Sequence, residues 1–567
     1  MSVRLHLNGH VCDAESGISL FTCAEKLGVP VPTSCNKQGK CKECVVEVTE
    51  GMERLSKPGP EERHLKGAFR LSCCTRIAQE DGEVRCHTMR RGTMRIEKHA
   101  FELPVHGPRW KLEPAVTRDG DRILLDGGEI DRGTGPLHGL AIDLGTTTIV
   151  IRLLNLETGE VIADSSFENP QRFGGSDVMA RIQYDTEDRT KTLQRTLVGY
   201  LSRAIAEFPV DPRSIYEVVI AGNSTMRDLF FKLSVYSIGQ SPYQSLTEIE
   251  LADGKRTTTS LSDTARRLGL PIHPKARIYG LPIISGHVGA DAAACMLAVD
   301  IANEDRVVAV MDIGTNTELI VGNKHKVLAA SCPAGPAFEG GQITFGMPGL
   351  PGAIEKISIA DDGAVRTTVI GKVAPQGICG SGLVDLMSEL VRTERMNSLG
   401  RFEAGAQDFV VTESDGRPIT FSEADVNALA QAKGANVAGL QIAFAEYGIR
   451  YSDLEVFYLA GGFGRHLNLE SSKRIGLIPN IEAAKIVQVG NASVEGACIA
   501  LLSRTKRAEL EQLVRRVTHC RLETHPGFFD FFVNGCQFAP VEDDVGGALA
   551  APRCATSAQP KNAEAGP

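Results

Sequence analysis

Apolar and polar positions alternate at the start of the chain. Val3, Leu5 and Leu7 predict a strand over Val3–Leu7, Asn8-Gly9 a hairpin turn, and His10–Cys12 the start of a partner strand. The period then lengthens. Leu20, Ala24 and Leu27 share one face of a predicted helix over Ser19–Leu27. A cysteine-bearing loop follows, then a strand over Val45–Val48, polar turns and the pair Cys73-Cys74. Hairpin, helix, cysteine loop and strand in this order fit a β-grasp domain over residues 1–92.

From Leu140 onward strand and helix patterns interleave, and one pattern occurs twice. Leu140–Ile151 reads LAIDLGTTTIVI, and Ala309–Ile320, 169 positions later, reads AVMDIGTNTELI. Each places an apolar strand on either side of Asp-x-Gly-Thr. A repeat on this scale predicts two similar halves facing each other. Residues 93–137 carry Pro104, Pro108, Pro114 and Pro136 and read as a linker, short for a large swing of the first domain. The basic residues around its start (Arg90, Arg91, Arg95, Lys98) read as a solvated face. We expect a middle subdomain over 138–210, a C-terminal domain over 211–545 and a disordered tail over 546–567.

Composition narrows the function classes. A length of 567 residues suits three or four domains, and a net charge of −9 argues against a general nucleic-acid binder. No run reaches the roughly 18 apolar residues that span a bilayer. The start shows no signal-peptide pattern, so the expectation is a cytoplasmic protein with neither nucleic acid nor membrane as partner. Fifteen cysteines are many for a reducing compartment. Eight fall before residue 90 and suggest a metal; the other seven are scattered and read as structural.

Cys35, Cys41 and Cys44 follow a C-x5-C-x2-C spacing, with a distant fourth thiol at Cys73 or Cys74. This is near the plant-type spacing of [2Fe–2S] ferredoxins. An irregular loop lets three thiolates converge, Gly39 helps it turn, and its N–H groups can reach the sulfurs. Four thiolates also suit zinc, but structural zinc sites pair two short Cys-x2-4-Cys knuckles and only one is present. Cys12, Cys23 and Cys86 read as packing residues.

The repeated segments have chemistry of their own. In Asp143-Leu144-Gly145-Thr146-Thr147-Thr148, Gly145 lets backbone N–H groups approach a phosphate and the threonines add donors. Asp143 can hold Mg2+ through water. Asp312-Ile313-Gly314-Thr315-Asn316-Thr317 repeats the design. Leu459-Ala460-Gly461-Gly462-Phe463-Gly464 follows an apolar strand over Glu455–Tyr458, and its glycines let backbone lie flat against an adenosine. Singly, each is an ordinary turn; in this order they are informative.

Together these three segments resemble the phosphate-1, phosphate-2 and adenosine motifs of the acetate and sugar kinase, heat-shock and actin superfamily. The resemblance implies two duplicated domains that clamp ATP. It assigns Asp143 and Asp312 as catalytic, and Gly145, Thr146, Thr147, Gly314, Thr315, Asn316, Gly461, Gly462, Phe463 and Gly464 as nucleotide-binding. Leu71-Ser72-Cys73-Cys74-Thr75 resembles the Leu-Ala-Cys-Gln-Thr segment of adrenodoxin-like ferredoxins, which makes Cys73 the fourth ligand and Cys74 a replacement for Gln. The expected fold is α/β and multidomain: an N-terminal β-grasp [2Fe–2S] ferredoxin domain, a linker, and duplicated actin-like (ribonuclease H-like) ATP-binding domains.

Four further segments narrow the family: Val219–Met226, Gly286–Asp291, Pro333–Gly341 and Gly377–Asp385. With the ferredoxin domain in front, the chain resembles the reductive activators of corrinoid proteins from about residue 3 to about residue 540. That implies ATP-dependent transfer of one electron from the cluster to Co(II) of a corrinoid methyl carrier, restoring Co(I). It also implies Mg2+, an upstream donor such as a reductase or ferredoxin, and a homodimer. The rival readings are a small-molecule kinase fused to a ferredoxin, an activator of a radical dehydratase or other low-potential enzyme, and a plain electron carrier.

Overall fold

The computed structural model describes residues 2–79, 81–89, 111–188, 190–414, 416–462, 464–541 and 543. The tail expected over 546–567 lies outside them.

The β-grasp expectation holds. Val3–Leu7 and His10–Ala14 pair antiparallel across Asn8 and Gly9, whose φ values of 51° and 82° form the hairpin turn. The helix runs Leu20–Lys26, with Ser19 Oγ accepting from the Thr22 N–H at 3.1 Å as its N-cap. Val3–Leu7 pairs in parallel with Glu83–Thr88, which pairs with Val45–Glu50, and that strand carries Phe69–Leu71 at the sheet edge. Beneath the cysteines lies a buried ion pair. Glu62 and Arg70 are each 2% exposed. Glu62 accepts from Arg70 Nε at 2.9 Å, from the Leu71 N–H at 2.9 Å and from Thr75 Oγ1 at 3.1 Å. One carboxylate therefore fixes both sides of the Ser72–Cys74 turn.

The two halves have one plan. In the first, His138–Leu144, Thr148–Asn155, Val161–Glu168 and Ile215–Gly222 are strands one to four. In the second they are Val308–Asp312, Thr317–Gly322, Val327–Cys332 and Val456–Ala460. Each sheet runs third, second, first, fourth, with the first three antiparallel and the fourth parallel to the first. The repeat seen in two short segments thus extends to whole sheets. The halves meet through helices Ala290–Ala298 and Ala492–Leu502, which cross closely because Gly496 has no Cβ to strike the Ala294 carbonyl, 2.0 Å from where it would stand.

Two expected boundaries need correction. The division at 210/211 cuts a sheet: Ile215–Gly222 pairs with His138–Leu144, Ile220 opposite Ile142. The halves separate instead between Asn303 and Val308. The linker expected over 93–137 contains a three-stranded antiparallel sheet, Val116–Asp119, Arg122–Leu125 and Gly128–Arg132. Asp119-Gly120 and Asp126-Gly127 turn its hairpins, and buried Val116 and Ile123 join the core between the halves. Pro114 and Pro136 bracket this sheet rather than break it. Residues 93–110 lie outside the described residues.

The ferredoxin domain shares a continuous apolar core with the first half, where the His64 ring meets Phe173 edge-on at 6.1 Å. Replacing Glu62 by Ala strands a buried guanidinium, so Glu62→Ala is expected to cost about 3–5 kcal/mol in urea unfolding of this domain.

Candidate functional site

One cleft lies between the halves. Strands His138–Leu144 and Val308–Asp312 both end there, and each runs through a glycine turn into its antiparallel neighbour. The cleft is lined by Asp143, Gly145, Thr146 and Thr147 from the first half and Asp312, Gly314, Thr315 and Asn316 from the second, with Gly461 and Gly462 beside them. Gly464 sits behind the lining, its N–H donating to the Gly461 carbonyl at 3.0 Å. Phe463 lies outside the described residues.

The carboxylates here are unusual. Asp143 accepts from Asn491 Nδ2 and Ser493 Oγ, both at 2.9 Å, and Asp312 accepts from the Cys295 thiol at 3.2 Å. Burial pushes the Asp312 carboxyl up to about 7, and the charges of Asp143 and Glu339 add to the push. Burial and the same crowding push Asp291 to about 7, and burial raises Asp143 as well. Carboxylates crowded in a buried cleft favour a cation among them. Among the described residues, no three His, Cys, Asp or Glu side chains already form a ready-made metal-ion site.

Threonines of the two glycine turns join across the seam. Thr147 Oγ1 lies 2.7 Å from Thr315 Oγ1 and donates to Glu339 Oε2 at 2.8 Å, while Thr315 Oγ1 donates to the same oxygen. Behind the first loop, Arg181 Nη2 donates to the Thr146 carbonyl at 2.7 Å and Asn223 Nδ2 to Thr146 Oγ1 at 2.8 Å. Asn223, Asp291 and Glu339 fall in segments that narrowed the family without receiving a role. Arg181 had no signal, because a lone arginine on a short helix looks like a solvent-facing residue.

At the far end of the first half, the cysteines come in two pairs. Cys44 Sγ donates to Cys73 Sγ at 3.3 Å. The Cys35 thiol is hydrogen-bonded to the Cys41 side chain and to the N–H groups of Cys41, Lys40 and Gln38. Burial works against ionisation there, but these donors outweigh it and hold the Cys35 thiol near 7. Two thiol pairs with N–H groups aimed at sulfur fit a two-iron cluster, which takes two thiolates per iron. Cys74 Sγ stands 3.7 Å from Cys73 Sγ and packs towards Gly39; burial pushes it to about 12.

The cysteine loop rests on the first half. Arg195 Nη2 donates to the Lys40 carbonyl at 3.3 Å and Thr196 Oγ1 to the Lys42 carbonyl at 3.4 Å. Both belong to helix Thr192–Ala206, which follows Val178–Glu187, the helix that carries Arg181.

The fold and site define an actin-like, two-halved nucleotide clamp with a ferredoxin domain in front. Family models match its parts: the 2Fe-2S iron-sulfur cluster binding domain over residues 5–78, the RACo middle region over 138–304, and the C-terminal domain of RACo, the ASKHA domain, over 306–545. The corrinoid activation enzyme RamQ of Eubacterium limosum is 29% identical, covering 91% of this chain and 95% of that one. The [Co(II) methylated amine-specific corrinoid protein] reductase of Methanosarcina barkeri is 25% identical, covering 70% and 76%. The solved structure of a reductive activator for corrinoid, iron-sulfur protein is 26% identical with a TM-score of 0.70, covering 95% of this chain and 98% of that one. The chain belongs to the family of reductive activators of corrinoid proteins.

Gly461 has φ 108°, and a Cβ there would meet the Ile313 carbonyl at 2.3 Å. Gly461→Ala is expected to push this loop off the Asp312–Asn316 turn and weaken binding of an ATP analogue about tenfold or more, measured by calorimetry, with the ferredoxin domain unaffected.

Proposed function

We propose that this protein is an ATP-dependent activator that passes one electron to Co(II) of an inactivated corrinoid protein and restores Co(I). Cys35, Cys41, Cys44 and Cys73 hold a [2Fe–2S] cluster, which supplies one-electron transfer. Asp143 and Asp312 hold Mg2+ through water, and Gly145, Thr146, Thr147, Gly314, Thr315 and Asn316 hold the phosphates. Gly461 and Gly462 line the adenosine. The partners are a corrinoid methyl carrier and an upstream reductase or ferredoxin, the assembly is a homodimer, and the setting is cytoplasmic. Among the described residues no helix is long and apolar enough to cross a membrane.

One observation carries the coupling. Consecutive helices connect the first phosphate loop, through Arg181, to the backbone of the cysteine loop, through Arg195 and Thr196. Coupling is needed because a one-electron donor loses a factor of ten in equilibrium for every 59 mV or so of mismatch. A donor about 120 mV too positive leaves about 1% Co(I) on that scale. ATP can shift that balance only by binding one state of the activator–corrinoid complex better than another.

The direct test is anaerobic Co(II) reduction on a cognate corrinoid protein, followed by visible absorbance. ATP is expected to raise the rate about tenfold or more, and Asp312→Ala to remove that stimulation. A protein whose reduction rate ignores ATP would sink the reading. Cys73→Ser is expected to lose the [2Fe–2S] absorption and EPR signals, and Cys74→Ser to keep both. The opposite result would move the fourth ligand to Cys74.

A further inference from the structure

We propose that Glu339 is the catalytic base that orients and deprotonates the water attacking the terminal phosphate of bound ATP, with Thr147 and Thr315 setting its position. The inference rests on the ATP reading above and adds the residue that acts on water.

The geometry separates Glu339 from the other acids of the cleft. Asp143 and Asp312 end equivalent strands, and their oxygens are held by Asn491, Ser493 and Cys295. Glu339 stands outside that repeat. It lies on the loop after the third strand of the second half, at the end of the turn Ala337–Glu339. Phe338 is buried beside it, 2% exposed. Gly340 turns the chain directly after it at φ 85°, and a Cβ there would meet the Met347 nitrogen at 2.5 Å. The loop is thus built to hold the side chain in one place.

That place is the junction of the two phosphate loops. Glu339 Oε2 accepts from the hydroxyls of Thr147 and Thr315, one from each half. Two loops that close on a terminal phosphate leave its outer face towards the group bridging their tips, where an attacking water must stand. Bound phosphate oxygens compete for the same two hydroxyls, because each threonine has one proton to donate. Nucleotide binding therefore frees Oε2 to accept from water instead. Arg181, buried without a carboxylate hydrogen bond, donates to the Gly175 and Thr146 carbonyls and places its charge near Glu339. Burial raises the Glu339 carboxyl and the two threonines and Arg181 pull it back, which leaves a stronger base than a solvated glutamate.

In the step, the water oxygen forms a bond to the terminal phosphorus and the bond to the bridging oxygen breaks. One water proton passes to Glu339 Oε2 and then to the released phosphate or to solvent. ADP leaves with the bridging oxygen, and no redox change occurs.

The experiment measures phosphate release from ATP by the full-length holoprotein with its corrinoid partner, alongside calorimetric affinity for a non-hydrolysable ATP analogue. Glu339→Gln keeps the shape and can still accept from both threonines. It is expected to lower kcat about 100-fold or more, the scale of general-base catalysis, with analogue affinity changed less than about threefold. Glu339→Asp is expected to retain more activity than Glu339→Gln. Two results overturn the proposal alone: Glu339→Gln with near-native kcat, or affinity lost in step with activity in both variants, which would make Glu339 a structural strut. If the unsubstituted protein binds the analogue yet releases no phosphate, the hydrolysis reading fails and this inference fails with it.

Discussion

Asp143 and Asp312 end equivalent strands and meet in one buried cleft, with Asp291 close by. Like charges in a low-dielectric space repel strongly, and protonation relieves them. The fold meets this cost with local donors rather than with an opposing side-chain charge: an amide and a hydroxyl on Asp143, a thiol on Asp312. Such donors hold the carboxylates in place without neutralising them. The halves are joined at this seam, where Asn491 and Ser493 of the second half hold Asp143 of the first, and also by the close apolar crossing of Ala290–Ala298 and Ala492–Leu502. Small-residue packing at the helix crossing holds the halves together, while the seam itself carries buried acids held by hydrogen bonds from both halves.

The ferredoxin domain solves a different problem with similar means. Its cysteine loop has little regular structure, so its shape comes from anchors. Glu62 and Arg70 fix the Ser72–Cys74 turn from below, and the Cys35 sulfur collects N–H groups from its own loop. Thiolates need donors, and here the backbone supplies them.

Much of this was legible in the sequence. The Cys spacing, the hairpin and the twin Asp-x-Gly-Thr segments each combine a local rule with a strong residue signal, and the residues they single out converge. What escaped was non-local. Asp119-Gly120 and Asp126-Gly127 were hairpin signals overshadowed by nearby prolines, and only packing shows that Val116 and Ile123 belong to the core. The boundary at 210/211 failed because a parallel strand pairs with a partner some 75 residues earlier, a relation no local window contains. Arg181 escaped because its chemistry lies entirely in its partners, two backbone carbonyls and a methionine sulfur.

The contacts of the ferredoxin domain also indicate how firmly it is held. They run to Arg172, Glu187, Arg195, Thr196 and Gly199, all in the first half. The polar ones are long, 3.3–3.9 Å, and the Lys66–Glu187 pair is exposed on both sides. Exposed pairs contribute about 0–1 kcal/mol, and a neutral hydrogen bond about 1 kcal/mol. The polar set therefore amounts to a few kcal/mol, and the apolar contact around His64 and Phe173 supplies the rest. A ligand that binds one arrangement about 100-fold better than another shifts the balance by about 2.7 kcal/mol, a comparable amount. Differential binding of a ligand at the two glycine turns is thus of the right size to reset the cysteine loop's polar contacts, without dismantling the apolar core that ties the domain to the first half.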